Sequence, residues 1–193
     1  MSIRTDMAAE SFSQAGGAEK LQGVKVKNKV IENARLEVTD ITIETQEAAE
    51  KLGRPVGRYI TLTATDSTFD MYSDSFRERA EVIAKAIREL CGGCERFLAV
   101  GLGNYALTSD AVGPLTAEKI FATRHIKSLA KEIDTDDLGE VTVIQPGVLG
   151  NTGIESSEQV KAIAERVTPQ AIIAVDAPVS YTHLRAHETD QYL

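Results

Sequence analysis

Two aspartates follow two strands that we predict to be buried in the second half of the chain. Asp176 comes directly after the apolar run 171–175, and Asp110 lies in the loop after the run 97–102. The carboxyl ends of parallel strands meet at one edge of a sheet, so we expect both carboxyl groups there. Carboxylates at close range can share a proton, one activating water while the other donates. Asp110 as a helix N-cap and Asp176 as a strand-end turn residue are the simpler alternatives.

Two glycine-containing loops lie between strands and helices of the same region. The first begins at the end of the run 97–102 and lacks a third glycine at the dinucleotide spacing, because position 106 is alanine. We therefore predict no cofactor. The second loop spans residues 146–155, and plain turn chemistry is its alternative role. We expect both loops to line the cleft beside the aspartates, through Gly101, Gly103, Asn104, Gly147, Gly150, Thr152, Gly153 and Glu155.

Cys91 and Cys94 have the spacing of a redox pair or of half a zinc site. No second pair of cysteines follows, so the sequence favours a helix that ends at Gly92 and Gly93. His125 is interpreted as a packed or helix-terminal histidine. We predict no metal site, and so small a number of cysteines agrees with a reducing compartment.

The apolar pattern changes along the chain and separates two kinds of structure. Up to about residue 75, alternation of apolar and polar residues predicts antiparallel strands and one short helix: strands 24–27, 36–43 and 57–63 and helix 45–52. Beyond it, helical spacing alternates with buried runs: helices 76–90 and 155–167, a mainly helical stretch 115–129, and strands 97–102, 141–144 and 171–175. The fold class is therefore α/β, a mainly parallel sheet with helices on both faces and an appended β-rich amino-terminal segment.

Composition narrows the possible partners. Apolar residues make up 42% of the 193 and charged residues 26%, which is ordinary for a folded domain. The net charge is −8 without a basic stripe, so we expect no nucleic acid ligand. No apolar run approaches the roughly 20 residues that span a bilayer, and the start lacks an apolar signal core. These features predict a cytoplasmic protein without a membrane partner.

Several short motifs, taken in order, resemble the germination protease of spore-forming Firmicutes. They are GLGN at 101–104, SDAVGP at 109–114, TRH at 123–125, PGV at 146–148 with Gly150, TGIE at 152–155 and DA at 176–177. The resemblance implies an atypical aspartic endopeptidase that degrades small acid-soluble spore proteins in the spore core during germination. It also implies a homotetramer, and it places the two catalytic acids on Asp110 and Asp176.

The same resemblance gives a role to residues 1–23, which show no sustained period and are expected to form a loose arm. Members of the family are zymogens that remove their own amino-terminal propeptide. The segment 5–10, TDMAAE, is similar to the sites that they cut in spore proteins. We therefore predict self-cleavage between Asp6 and Met7. The alternative is an unstructured start that matches a short motif by chance.

Two other functions stay open. Glycine-rich loops and strand-end acids also resemble the hydrogenase maturation endopeptidases, which use a metal and share the expected fold. Alternatively, the chain is an inactive fragment that only binds or oligomerises.

Residues 178–193 do not match the family pattern, and we interpret them as a sequence artefact. His183 and His187, four apart with Glu188 adjacent, could share a helical face, but the artefact is favoured. The expected division is an arm at 1–23, a peptidase domain at 24–177 and this tail. Without the later elements of a longer chain, a sheet edge would be left bare.

Overall fold

The computed structural model of the protein describes residues 22–66, 74–129, 135 and 138–177. The described residues divide into two compact units, one with residues 22–66 and 74–92 and the other with residues 93–129, 135 and 138–177. Predictions that concern Asp6, Met7 and the tail at 178–193 lie outside the described residues.

An antiparallel sheet forms the centre of the first unit. Its strands are β1 (Val24–Ile31), β2 (Leu36–Ile43) and β3 (Gly57–Ala64), with β2 in the middle. Helix α1 (Gln46–Leu52) follows β2, begins at the Thr45 N-cap and ends at Gly53 in the left-handed conformation. Its apolar face packs on β2 in a small core of Ile41, Ile43, Ala48, Ala49 and Leu52.

Polar contacts attach helix α2 (Phe76–Cys91) to the rest of this unit. The guanidinium of Arg79, 1% exposed, donates to the carbonyl of Ala34 and pairs with Asp66. Arg58 on β3 binds Glu89 and Asp40, and its hydrogen bond holds the pKa of Asp40 below the usual value. The large apolar side chains that recur at helical spacing along this helix, Ile83, Ile87 and Leu90, are exposed.

A parallel sheet forms the centre of the second unit. Strand β4 (Arg96–Gly101) lies between β5 (Glu140–Ile144) and β6 (Ala171–Val175), in the order β5-β4-β6. The central position explains why Leu98, Ala99 and Val100 are buried. The helices of this unit are a 3₁₀ turn (Thr108–Asp110), α3 (Val112–Lys119), α4 (Arg124–Leu129), α5 (Leu149–Thr152) and α6 (Ser156–Val167).

The α/β class with a parallel sheet is confirmed, and the amino-terminal strands form an antiparallel sheet of their own. The stretch 115–129 is mainly helical as predicted, but it contains two helices, because α3 ends at Lys119 and α4 begins at Arg124. Between them, Thr123 binds the backbone beside β5 instead of continuing a helix. Within the part of the chain that is described, no helix has the length and apolar character needed to cross a bilayer.

Candidate active site

Three loops leave the parallel sheet at its carboxyl edge. Residues 102–111 follow β4, residues 145–155 follow β5, and Asp176 with Ala177 follows β6. Because the three strands are parallel, with Gly101 beside Val175 and Val100 beside Ile144, these loops start side by side. The edge that carries them is therefore the place where the sequence analysis expects a ligand.

The end of β4 is joined to the end of β6 through backbone contacts. The N–H of Leu102 donates to the carbonyl of Val175 at 2.9 Å, which extends the ladder one residue beyond the end of β4, to the last residue of β6. Gly113 of α3 lies against this junction, and a Cβ there would overlap the carbonyl oxygens of both Leu102 and Val175. A Cβ at Gly101 would likewise overlap the carbonyl of Gly113. Two glycines thus let α3 approach the sheet edge directly.

Asp110 closes the loop that contains it. The half-buried carboxylate accepts the Asn104 N–H through Oδ2 at 2.7 Å, and Asn104 in turn accepts the Ala106 N–H at 3.0 Å. Gly103 has a φ of +117°, and a Cβ there would overlap the carbonyl oxygen of Asp110. Asp110 is therefore oriented by the backbone. The N-cap interpretation is wrong, since the N-cap of α3 is Ala111.

Asp176 stands at the end of β6 and is exposed. Its Oδ1 accepts the N–H of Ala177 at 2.9 Å, the local bond expected of a strand-end residue. Ala177 itself is buried. The structure thus brings Asp110 and Asp176 to the same edge of one sheet, each with one carboxylate oxygen held by a backbone N–H.

The loop after β5 is organised by side chains of the helix that follows it. Ser156 donates to the carbonyl of Gly147 at 2.8 Å, and Gln159 reaches Pro146, Thr152 and Ile154. Gly147 and Gly153 have φ values of +73° and +69°, and a Cβ at Gly150 would meet open space. Glu155 is the N-cap of α6 without a side-chain capping bond.

Gln159 was not predicted from the sequence. A glutamine in the first turn of a helix gives no sequence signal, because this position is usually solvated. Its partners only meet it once the loop has folded back over α6.

The TRH motif at 123–125 serves two different ends. Thr123 is buried, donates to the carbonyl of Gly139 at 2.5 Å and accepts the N–H of Val141 at 2.9 Å, so it fixes the start of α4 beside β5. Arg124 pairs with Glu140 at 3.1 Å. His125 is exposed on α4, as expected of a residue near a helix terminus.

The two cysteines are free and half-buried. Gly92 ends α2 in the left-handed conformation, with its N–H donating to the carbonyl of Arg88 at 3.1 Å, which confirms the predicted helix end. Across the described ranges, no three His, Cys, Asp or Glu side chains are grouped so that they could hold a metal ion.

Comparison with known proteins distinguishes between the two enzyme families that the sequence motifs resemble. The model of the germination protease family matches residues 3–192. This chain belongs to the germination protease family. The matched range includes most of the tail at 178–193 that the motifs had left outside the resemblance.

Curated germination proteases are similar along nearly the whole chain. The protease of Clostridium perfringens strain ATCC 13124 is 34% identical over 194 residues, covering 98% of this chain and 59% of the relative. The protease of Clostridium tetani is 34% identical over 197 residues, which cover 99% of this chain and 59% of the relative. The protease of Caldanaerobacter subterraneus is 35% identical over 182 residues, which cover 93% of this chain and 55% of the relative. The chain thus spans less than three-fifths of the length of these germination proteases.

Proposed function

We propose that the protein acts as an endopeptidase in spore germination, with Asp110 and Asp176 as its acid–base pair. Membership of the germination protease family supports the reaction class. The observation that carries the assignment is the hydrogen bond from Leu102 to Val175, because it fixes the starts of the two aspartate-bearing segments beside each other. The pair would then face a peptide lying along the carboxyl edge of the sheet.

In this mechanism one carboxylate takes a proton from water as the oxygen attacks the peptide carbonyl. The other carboxyl group donates a proton to the leaving nitrogen, and the proton taken from water restores the pair for the next turnover. No covalent enzyme intermediate forms. The Asn104 N–H keeps the Asp110 carboxylate in one orientation, and the Ala177 N–H does the same for Asp176. Fixed orientation of both groups limits the reorganisation needed at the transition state.

The substrates we propose are small acid-soluble spore proteins, cut in the cytoplasm of the spore core by a homotetrameric enzyme. We further propose that the arm is a propeptide, removed by self-cleavage between Asp6 and Met7. This part of the proposal rests on the family resemblance and on the segment 5–10. Incubation of the purified chain followed by amino-terminal sequencing tests it. A new terminus at Met7 is expected, and an intact Met1 under activating conditions contradicts it.

The acid–base pair is tested with a quenched fluorescent peptide that carries residues 1–14 of the chain. Asp110→Asn and Asp176→Asn are each expected to lower kcat by about 10²- to 10⁴-fold, the usual contribution of a positioned acid or base. Glu118→Gln is the matched control, since Glu118 is an exposed carboxylate on α3 of the same unit. Wild-type rates in both aspartate variants would contradict the proposal. A metal-dependent endopeptidase would instead lose its activity in EDTA.

A further inference from the structure

One side-chain amide connects the two ends of the loop after β5. The Nε2 of Gln159, in the first turn of α6, lies 3.2 Å from the carbonyl oxygen of Pro146 and 3.2 Å from that of Ile154. Its two N–H groups can donate to these two carbonyls together. Pro146 lies at the start of the loop and Ile154 near its end, so the side-chain amide of Gln159 fixes both ends of the loop.

The rest of the loop is built around the same point. The hydroxyl of Thr152 lies 3.4 Å from Nε2 of Gln159, 2.9 Å from the Ile154 carbonyl and 3.2 Å from the Val148 carbonyl. Ser156, one turn before Gln159, holds the Gly147 carbonyl. Three carbonyls of the loop, those of Pro146, Gly147 and Ile154, therefore accept from side chains of α6.

What the loop presents outward is short and exposed. The residues of α5, from Leu149 to Thr152, are exposed, whereas Gln159 beneath them is only partly so. The exposed stretch belongs to the carboxyl edge that carries both aspartates. A peptide that reaches those aspartates would therefore run close to a surface whose position depends on Gln159.

We propose that Gln159 is a positioning residue, which fixes the loop 146–154 as a wall of the substrate cleft; this inference rests on the proposed endopeptidase function. Gln159 has no described contact with Asp110 or Asp176, so it acts on the binding of the peptide. Its loss raises KM and leaves kcat within about twofold of the wild type. Gln159→Met keeps the length of the side chain and removes the two donors.

The sheet offers a matched control at its opposite edge. The Oε1 of Gln170 accepts the N–H groups of Glu95 and Arg96, at 2.8 and 3.0 Å, where β4 begins. Gln170→Met removes the same kind of amide from the same sheet, and it breaks two backbone contacts far from the loop. A general loss of stability would affect both variants alike, whereas loss of loop position would affect only Gln159→Met.

Two readouts test the inference. In the peptide assay, Gln159→Met is expected to raise KM about tenfold, as the loss of hydrogen bonds that fix the loop predicts. Hydrogen exchange of the amides at 149–153 is expected to accelerate in the same variant, while β4 amides keep their protection. Gln170→Met should show neither change. An unchanged KM in Gln159→Met, or an equal rise in both variants, would overturn the inference.

The inference and the proposed function can fail separately. Binding of a fluorescein-labelled peptide 1–14, with a reduced and therefore uncleavable bond between residues 6 and 7, is measured with both aspartates intact. Addition of Gln159→Met should weaken this binding about tenfold. Full activity in the aspartate variants would refute the acid–base pair and leave this binding result standing. Unchanged binding would refute the role of Gln159 and leave the acid–base pair intact.

Discussion

Gly113 lets α3 pack directly on the sheet edge that carries the candidate active site, so a change there should affect both stability and activity. It lies near the start of α3, and a Cβ at this position would overlap the carbonyl oxygens of Leu102 and Val175 and the N–H nitrogen of Leu102. All three atoms belong to the backbone, so no side chain can rotate to make room. Gly113→Ala must therefore move α3 away from the junction of β4 and β6.

Two effects of opposite sign decide the stability of this variant. Overpacking of a tight site costs typically 1–3 kcal/mol, and rigid backbone neighbours place Gly113 near the upper end, at about 3 kcal/mol. Alanine in a helix is favoured over glycine by about 1 kcal/mol at most. The steric effect wins, and the net loss is about 2 kcal/mol. With an m-value of roughly 2 kcal/mol/M, the midpoint of urea unfolding falls by about 1 M.

The assay is urea unfolding followed by far-ultraviolet circular dichroism, with Gly150→Ala as control. Gly150 lies in α5, and a Cβ there would have no neighbour within 4 Å, so this variant should match or slightly exceed the wild type. Displacement of α3 also moves the segment that carries Asp110, so Gly113→Ala should lose peptidase activity even where it is folded. A midpoint equal to that of Gly150→Ala would refute the steric argument.

Two further predictions concern stability alone. The hydrogen bond from Arg79, and after it the one from Arg35, holds the pKa of Asp66 below its ordinary value of 3.8. The stability that Asp66 contributes is therefore present above about pH 4 and is lost as the pH falls through the lower pKa of the folded state. Asp66→Asn should flatten this acid dependence in urea titrations between pH 2 and 5. Thr123→Val leaves the Gly139 carbonyl and the Val141 N–H without their buried partner, so it should lower the free energy of unfolding by about 1–3 kcal/mol in the same urea assay. A decrease below about 0.5 kcal/mol, roughly the range of a surface substitution, would contradict the role given to Thr123.

The sequence predicts the bounds of the parallel strands well because each strand is a short continuous apolar run. The predicted burial of 171–175 is wrong, since β6 lies at an edge of the described sheet and Ile172 is 50% exposed, whereas the central strand β4 is buried. Strand 171–175 has the predicted bounds, and β4 and β5 begin or end within one residue of theirs. Thr45 and Gly53 set the ends of α1 by local capping, which also needs no tertiary information.

Features that depend on tertiary contacts could not be predicted from local sequence preference. The break between α3 and α4 depends on Thr123 meeting the backbone of a strand 18 residues away. The Asp110 carboxylate binds Asn104 in its own loop, although its position before a helix favours an N-cap. Gly101 and Gly113 can be read as loop glycines, yet their function is close approach across the sheet edge. Such pairings become visible only when the strand order is known.

The motif-based resemblance to germination proteases is confirmed by the family match, and the placement of both aspartates at one edge follows from the parallel topology. Their catalytic role remains a prediction. So do the propeptide, the spore-protein substrates and the tetramer, because the chain spans less than three-fifths of its curated relatives.

A double-mutant cycle of kcat/KM on the two aspartates tests the central claim most directly. If Asp110 and Asp176 act as one unit, the variant that carries both Asp→Asn substitutions is no slower than the slower single variant, because either substitution already disables the pair. If the two fold-losses multiply in the double variant, the aspartates act independently, and the shared acid–base site is contradicted.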